Sequence, residues 1–235
     1  FVLTQGQLDV GETIFTELAR EHPMQRLLQG EVGSGKTIVA LRAMLTVIDN
    51  GGQAALLAPT EGLAAQHYQT IQALLGDLGY GRTLGAPDVA TEVALLSGSL
   101  PAAQKKATLL KAASGEAGII VGPHALLSER VQFADLGLVV VDEQHRFGVE
   151  QRAALTAKAD TRPHVLVMTA TPIPRSVAMT VFGDLETSTL REIPAGRQDV
   201  ATVLVDAVAH PAWVDRAWQR IRGRVRRGCR APWPT

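Results

Sequence analysis

Eight residues, Gly30-Glu31-Val32-Gly33-Ser34-Gly35-Lys36-Thr37, follow the spacing G-x-x-x-x-G-K-[ST] of a phosphate-binding loop. Gly30, Gly33 and Gly35 let the backbone curl, so that successive N–H groups, Ser34's among them, converge on phosphate oxygens. The positive end of a following helix adds to that attraction. Lys36 has the charge and reach for β- and γ-phosphates, and the Thr37 hydroxyl is a ligand for Mg²⁺. An ordinary Gly-rich turn would satisfy the same pattern, but the flanks argue against one. A short apolar run (Leu27, Leu28) leads in, and apolar residues at helical spacing (Ile38, Leu41, Leu45, Ile48) lead out.

A second cluster stands about a hundred residues on. The apolar run Leu136-Gly137-Leu138-Val139-Val140-Val141 ends in Asp142-Glu143-Gln144-His145. A strand that delivers two carboxylates at its carboxyl end is what a phosphate loop needs opposite it. Asp142 is placed to hold Mg²⁺ through water, and Glu143 to polarise an attacking water as general base. Alone, such a strand could end in nothing more than a solvated acidic turn. The phosphate loop upstream in the same chain gives it a use.

These motifs need a scaffold, and the hydrophobic pattern supplies one. Strand candidates are Arg26–Gln29, Ala54–Ala58, Val93–Ser97, Gly118–Gly122, Leu136–Val141 and His164–Thr169. Helical patterns lie between them near residues 8–20, 36–49, 61–75, 101–113, 123–129, 149–157 and 174–181, with Pro101 and Pro174 where a first turn tolerates proline. Alternating strands and helices predict an α/β fold, a mostly parallel sheet flanked by helices as in RecA-like P-loop NTPase domains. Residues 81–88 read as a surface loop. The expected organisation is one such lobe over residues 1–190 and a separate segment over 191–235.

Bulk properties fit this picture. The 235 residues are 46% hydrophobic and 20% charged, with no apolar run of membrane-spanning length and no signal segment. A single cysteine, Cys229, rules out an internal disulfide framework and predicts a reducing, cytoplasmic setting. Net charge is zero but unevenly spread: residues 1–215 carry 16 basic and 23 acidic side chains, whereas 216–235 carry seven Arg and no acid. A mildly acidic body is compatible with nucleic-acid binding, which depends on local patches and backbone donors. The chain opens on Phe1 and not Met, so a fragment of a longer polypeptide is expected.

Asp142-Glu143-Gln144-His145 resembles the DExH box of superfamily 2 helicases. The longer runs Asp142 to Arg152 and Met168-Thr169-Ala170-Thr171-Pro172-Ile173-Pro174-Arg175, with Gly183-Asp184-Leu185, are similar to the RecG family of bacterial ATP-dependent DNA helicases. The Mfd family of transcription-repair coupling translocases shares the threonine–proline box, but typically has another residue in place of His145. The likeness runs from Leu3 to about Arg197. It implies ATP and Mg²⁺ as cofactors, branched DNA (replication forks, Holliday junctions) as partner, and no membrane. It also implies a second RecA-like lobe and an N-terminal wedge domain elsewhere in the parent protein.

The resemblance assigns roles residue by residue. Gln7, in Leu3-Thr4-Gln5-Gly6-Gln7, would contact the adenine edge, although an exposed Gln before a helix is the plainer reading of that residue alone. Ala58 to His67 is similar to the family's first DNA-backbone motif, in which Thr60 would meet a phosphate, serve as a helix N-cap, or both. Gly98, in Ser97-Gly98-Ser99, and His124, in Val121 to Leu127, resemble further DNA contacts; a packed or capping role suits His124 equally. Pro123 stands where the family usually has Thr, which removes a hydroxyl and an N–H. Thr169 and Thr171 would couple nucleotide state to DNA grip, and His145 would sense the γ-phosphate; either Thr could instead simply end a strand. Arg175 suits DNA or an internal carboxylate alike.

Beyond Leu190 the likeness thins, and Asp199 stands where proline is usual. Residues 191–235 would be an exit segment and the start of a missing second lobe, in which Val200–Val205 could be the opening edge strand and Pro211–Ile221 an amphipathic helix. The Arg-rich run from Arg222 has the flavour of a second-lobe arginine motif, but no such lobe fits between Arg197 and Arg222, so a truncated or frame-shifted terminus is the expectation. A first lobe without its arginine-supplying partner is expected to be nearly inactive alone. Two alternatives stand beside the RecG-like motor: an Mfd-type translocase, and a non-catalytic, nucleotide-gated DNA-binding module.

Overall fold

The computed structural model describes residues 2–79, 81, 90–124, 131–142, 163–171, 185–191, 206, 208 and 210–226. Among the described residues, seven strands form one sheet: β1 (Gln25–Gly30), β2 (Gln53–Ala58), β3 (Glu92–Leu95), β4 (Ala117–Pro123), β5 (Leu136–Asp142), β6 (His164–Thr169) and β7 (Glu186–Leu190). Their order across the sheet is β3-β4-β2-β5-β6-β1-β7, and every pairing is parallel. Helices α1 (Gln5–Leu18), α2 (Lys36–Asp49), α3 (Glu61–Leu75) and α4 (Ala102–Ser114) supply the crossovers described. The α/β, parallel-sheet expectation holds.

The strands read as apolar runs because both faces of the sheet are covered. Leu28, Leu56, Ile119, Val121, Leu138, Val140 and Leu166 point into a core shared with Ile14, Ala40, Met44 and Ile71 of α1–α3. Their alternating neighbours Leu27, Leu57, Ile120, Val139, Val141 and Val167 form a second core with Ala112 of α4. A side-chain period of two therefore feeds two cores. Each fully buried Leu, Ile or Val contributes about 1.5–3 kcal/mol.

All six strands expected from the sequence are present, within one or two residues at each end. Helices α2 and α3 have the expected bounds, and α4 starts one residue later, with Pro101 as its N-cap. β7 and a short 3₁₀ turn at Gly76–Gly79 were not expected. The helical patterns at 149–157 and 174–181, most of that at 123–129, the loop at 82–88 and the strand at 200–205 lie outside the described residues. The chain divides into two compact units, Phe1–Pro194 and Ala195–Thr235, and in the second unit Pro211–Arg226 is a helix, α5.

Buried polar side chains pin particular elements. Gln53 donates through Nε2 to the carbonyls of Ala112 and Ala117 and accepts at Oε1 from the Ala134 and Asp135 amides, so its amide is fully engaged. Arg26 on β1 is buried and bound by Glu17 of α1, Ser188 and Glu186 of β7.

His164 opens β6 and accepts at Nδ1 from the Met24 amide (2.9 Å), and burial holds its pKa below the usual imidazole value. The unfolded chain therefore binds a proton first. The stabilisation is full above about pH 6.5 and is lost as pH falls toward the folded-state value. Thermal melts from pH 7.5 to 5 should show a falling midpoint, with a shallower slope in His164→Asn, whose side-chain oxygen keeps the acceptor. Equal slopes would exclude His164 as the source.

Candidate functional site

A parallel sheet brings the carboxyl ends of all its strands to one edge, where ligands bind in open α/β folds. The register makes this concrete. Asp142 pairs with Met168, Met168 with Leu28, and Thr169 with Gln29, the residue before Gly30. On the other side of β5, Leu57 pairs with Val141, and Ala58 with Pro123. The phosphate loop, Asp142, the threonine box, Thr60 and His124 thus emerge from five strands at nearly one level.

The loop has the shape its glycines predicted. Gly33 and Gly35 both take φ of 86°, and Gly35 is the N-cap from which α2 starts. A Cβ at Gly30 would stand 2.5 Å from Ser34 Oγ, and one at Gly35 would stand 2.1 Å from Gln7 Nε2. The Ser34 amide donates to Glu31 O at 3.1 Å. Lys36 Nζ donates to the carbonyls of Gly30 (2.7 Å) and Glu31 (3.0 Å), so the ammonium lies over the loop. Thr37 follows in the first turn of α2, half-buried.

Gln7 is buried and tied at both ends of its amide. Thr4 caps α1 reciprocally with it: Gln7 N donates to Thr4 Oγ1, and Thr4 N to Gln7 Oε1. Its Nε2 donates to Ser34 O at 3.0 Å, linking α1 to the phosphate loop. One amide N–H and one lone pair are left over for another group. Gly35→Ala should therefore disturb both the loop and this link. We expect nucleotide affinity to fall about tenfold or more, roughly 1.4 kcal/mol, by fluorescence titration; unchanged affinity would mean the loop tolerates a side chain there.

Asp142 ends β5, half-buried, and its Oδ2 lies 2.6 Å from His67 Nε2 of α3. Thr169 is buried, and its Oγ1 meets Thr171 Oγ1 at 3.0 Å and accepts from the Thr171 amide at 3.2 Å. The two threonines are thus bonded to each other. Glu143, His145 and Arg175 lie outside the described residues.

Thr60 is the N-cap of α3, accepting from Leu63 N at 3.3 Å. The next residue, Glu61, reaches across to the loop after β3. Its carboxylate accepts from Ser97 Oγ (2.9 Å) and the Gly98 amide (2.8 Å), and these contacts, Ser97's first, hold its pKa below the ordinary carboxylate value. The Gly98 amide is therefore engaged by Glu61. His124 is half-buried just past β4. Sequence reasoning found neither the Glu61 tie nor the His67 contact. Their partners stand 37 and 75 residues away, and no local spacing encodes them.

The sequence profile described as DEAD/DEAH box helicase matches residues 9–180, which include the phosphate loop, Asp142 and the threonine box. The chain belongs to the DEAD/DEAH box helicase family. Among relatives of this helicase lobe, the ATP-dependent DNA helicase RecG of Mycobacterium tuberculosis (strain H37Rv) is 60% identical over 94% of the chain, and that of Streptococcus pneumoniae serotype 4 is 48% identical over 86%. A solved structure described as RecG bound to a three-way DNA junction matches 97% of the chain at a TM-score of 0.76 and 37% identity. The likeness to RecG expected from the sequence is thereby borne out. The chain spans about 30% of the length of these curated relatives and 28% of the RecG chain in that structure.

Proposed function

We propose that this chain is the ATP-binding motor lobe of a RecG-like DNA helicase and translocase, acting on branched DNA such as replication forks and Holliday junctions in recombination and repair. One observation carries the reading: an intact phosphate loop and Asp142 emerge at one sheet edge in a chain 60% identical to a RecG over 94% of its length.

The residues fit a nucleotide and its metal ion. The buried Ser34 Oγ has no hydrogen-bond partner among the described residues, the loop excludes side chains at Gly30 and Gly35, and a cation lies over it. Lys36 and the loop amides would hold the β- and γ-phosphates. Thr37 and Asp142 would hold Mg²⁺, which when bound neutralises charge on the phosphate oxygens. Glu143 as general base and His145 as γ-phosphate sensor follow from the family resemblance. Gln7 would reach adenine through the valences its two ties leave. Thr60, the loop at Gly98, and His124 line up at the same edge as candidates for DNA phosphates, which position without reading sequence. Thr169 and Thr171, bonded to each other beside Asp142's strand, would relay nucleotide state to that side. The partner lobe and wedge domain belong to the remaining length of a RecG-sized protein, and a cytoplasmic setting accords with the single cysteine.

The test is strand separation on a synthetic three-way junction, using this lobe joined to the rest of a RecG-length polypeptide. ATP-dependent unwinding is expected, abolished by Lys36→Ala. Hydrolysis without any action on branched DNA would sink the RecG-like reading. Thr60→Ala should weaken DNA binding about equally across sequences, and should cost about 1 kcal/mol of stability through the lost cap. Sequence-selective loss in a gel-shift series would count against a phosphate contact.

A further inference from the structure

Among the described residues His67 is the one side chain bonded to Asp142, and it comes from a different layer of the fold. An ionised carboxylate only accepts, so at 2.6 Å the imidazole Nε2 is the donor. Among the described residues that bond occupies Oδ2 and leaves the second oxygen of Asp142 for a metal ion's hydration shell. Both side chains are mostly shielded from water, with relative exposures of 14% for His67 and 17% for Asp142.

The helix that carries His67 is held rigidly. Ala64 and Ile71 of α3 are fully buried against the sheet, one almost a turn before His67 and one a turn after it. Thr60 caps its start, and Glu61 ties that start to Ser97 and Gly98. A donor on so fixed a strut selects one orientation of the carboxylate it meets. Hydrogen-bonded partners of metal-binding carboxylates act in this way, by orienting the ligand.

We propose that His67 is a positioning residue that fixes the Asp142 carboxylate for the Mg²⁺–nucleotide complex. The inference rests on the nucleotide reading of the site given above. It adds a residue that touches neither nucleotide nor metal and acts through Asp142.

The experiment titrates MgCl₂ against binding of a fluorescent N-methylanthraniloyl ATP to the 235-residue chain, with a parallel series in EDTA. His67→Ala should need about 10–100-fold more Mg²⁺ for half-maximal binding. Its metal-free affinity should stay within about twofold of the parent chain's. His67→Gln, whose amide nitrogen can donate from a similar position, should recover most of the Mg²⁺ response and guards against a mere folding defect; far-UV circular dichroism accompanies both. Asp142→Asn should raise the Mg²⁺ requirement, and adding His67→Ala to it should raise it no further, because one residue acts through the other. An unchanged Mg²⁺ requirement in His67→Ala, an equal loss in EDTA, or full additivity with Asp142→Asn would each overturn the proposal. Failure of the parent chain to bind the nucleotide at all would instead overturn the nucleotide reading, and this inference with it.

Discussion

Replacing Lys36 by alanine should raise the dissociation constant for ATP by about 100-fold or more, a loss of roughly 2.7 kcal/mol. The ammonium now donates to two loop carbonyls, Gly30 O at 2.7 Å and Glu31 O at 3.0 Å. A phosphate would exchange these neutral acceptors for an anionic one, which adds attraction between full charges to the hydrogen bonds. Alanine removes that exchange and leaves the Gly30 and Glu31 carbonyls facing the anion without a cation between them. The fold should tolerate the change. Lys36 is half-buried at the start of α2, whose attachment comes from Val39, Ala40, Ala43 and Met44. Isothermal titration with ATP and Mg²⁺ measures the effect, and a melting curve confirms the folded state. A dissociation constant within threefold of the parent chain's would remove the basis for the phosphate-loop assignment.

Arg26→Ala should be strongly destabilising, at about 3–5 kcal/mol. Arg26 meets Glu17 of α1 through Nε and Nη2, Ser188 of β7 through Nη1 at 2.7 Å, and Glu186 through Nη2 at 2.6 Å. Its side chain is 5% exposed and that of Glu17 8%, so alanine would leave a buried carboxylate with only the exposed Arg20 guanidinium, 4.0 Å away. Glu186 is largely exposed, and its share of the effect is small. For a folded unit of this size the melting midpoint should drop by roughly 6–20 °C. The pH dependence gives a second check. Arg26 holds Glu17 below the ordinary carboxylate pKa of 4.5, so the stabilisation is present above that value and is lost as pH falls through the folded-state pKa. The gap between parent and Arg26→Ala should therefore narrow in acid. Replacing both partners, as Arg26→Met with Glu17→Leu, should recover much of the loss, because apolar pairs often substitute well for buried ion pairs. A double variant as unstable as Arg26→Ala would argue that the charges themselves are needed.

The elements that could be read from the sequence are those whose own residues carry the signal. The six apolar strands are buried on both faces, so each is a short run of Leu, Ile, Val and Ala bounded by polar residues. β7 escapes that test. Its sequence Glu-Thr-Ser-Thr-Leu buries only Leu190 and so carries no apolar run, whereas β3 at the opposite edge of the sheet still buries Val93 and Ala94. The cap at Thr60 was legible because a cap is a contact between residues three apart, and so were the left-handed glycines of the phosphate loop.

By itself the sequence determined the phosphate loop, the acidic strand end, the α/β class and the family likeness, since all of these are encoded in residue types at short, regular spacing. Only the tertiary structure decided which side chains meet across long intervals. It joined Gln7 to Ser34, Glu61 to Gly98, His67 to Asp142 and Arg26 to Glu186, pairs separated by 27, 37, 75 and 160 residues. Such pairs follow from strand order and register. A parallel sheet of order β3-β4-β2-β5-β6-β1-β7 is chosen by the packing of the whole chain, and no local stretch contains it. The chemistry of the loop at Gly30–Thr37 was therefore readable in advance, whereas the supports that hold it and its facing carboxylate became visible only once the chain was folded.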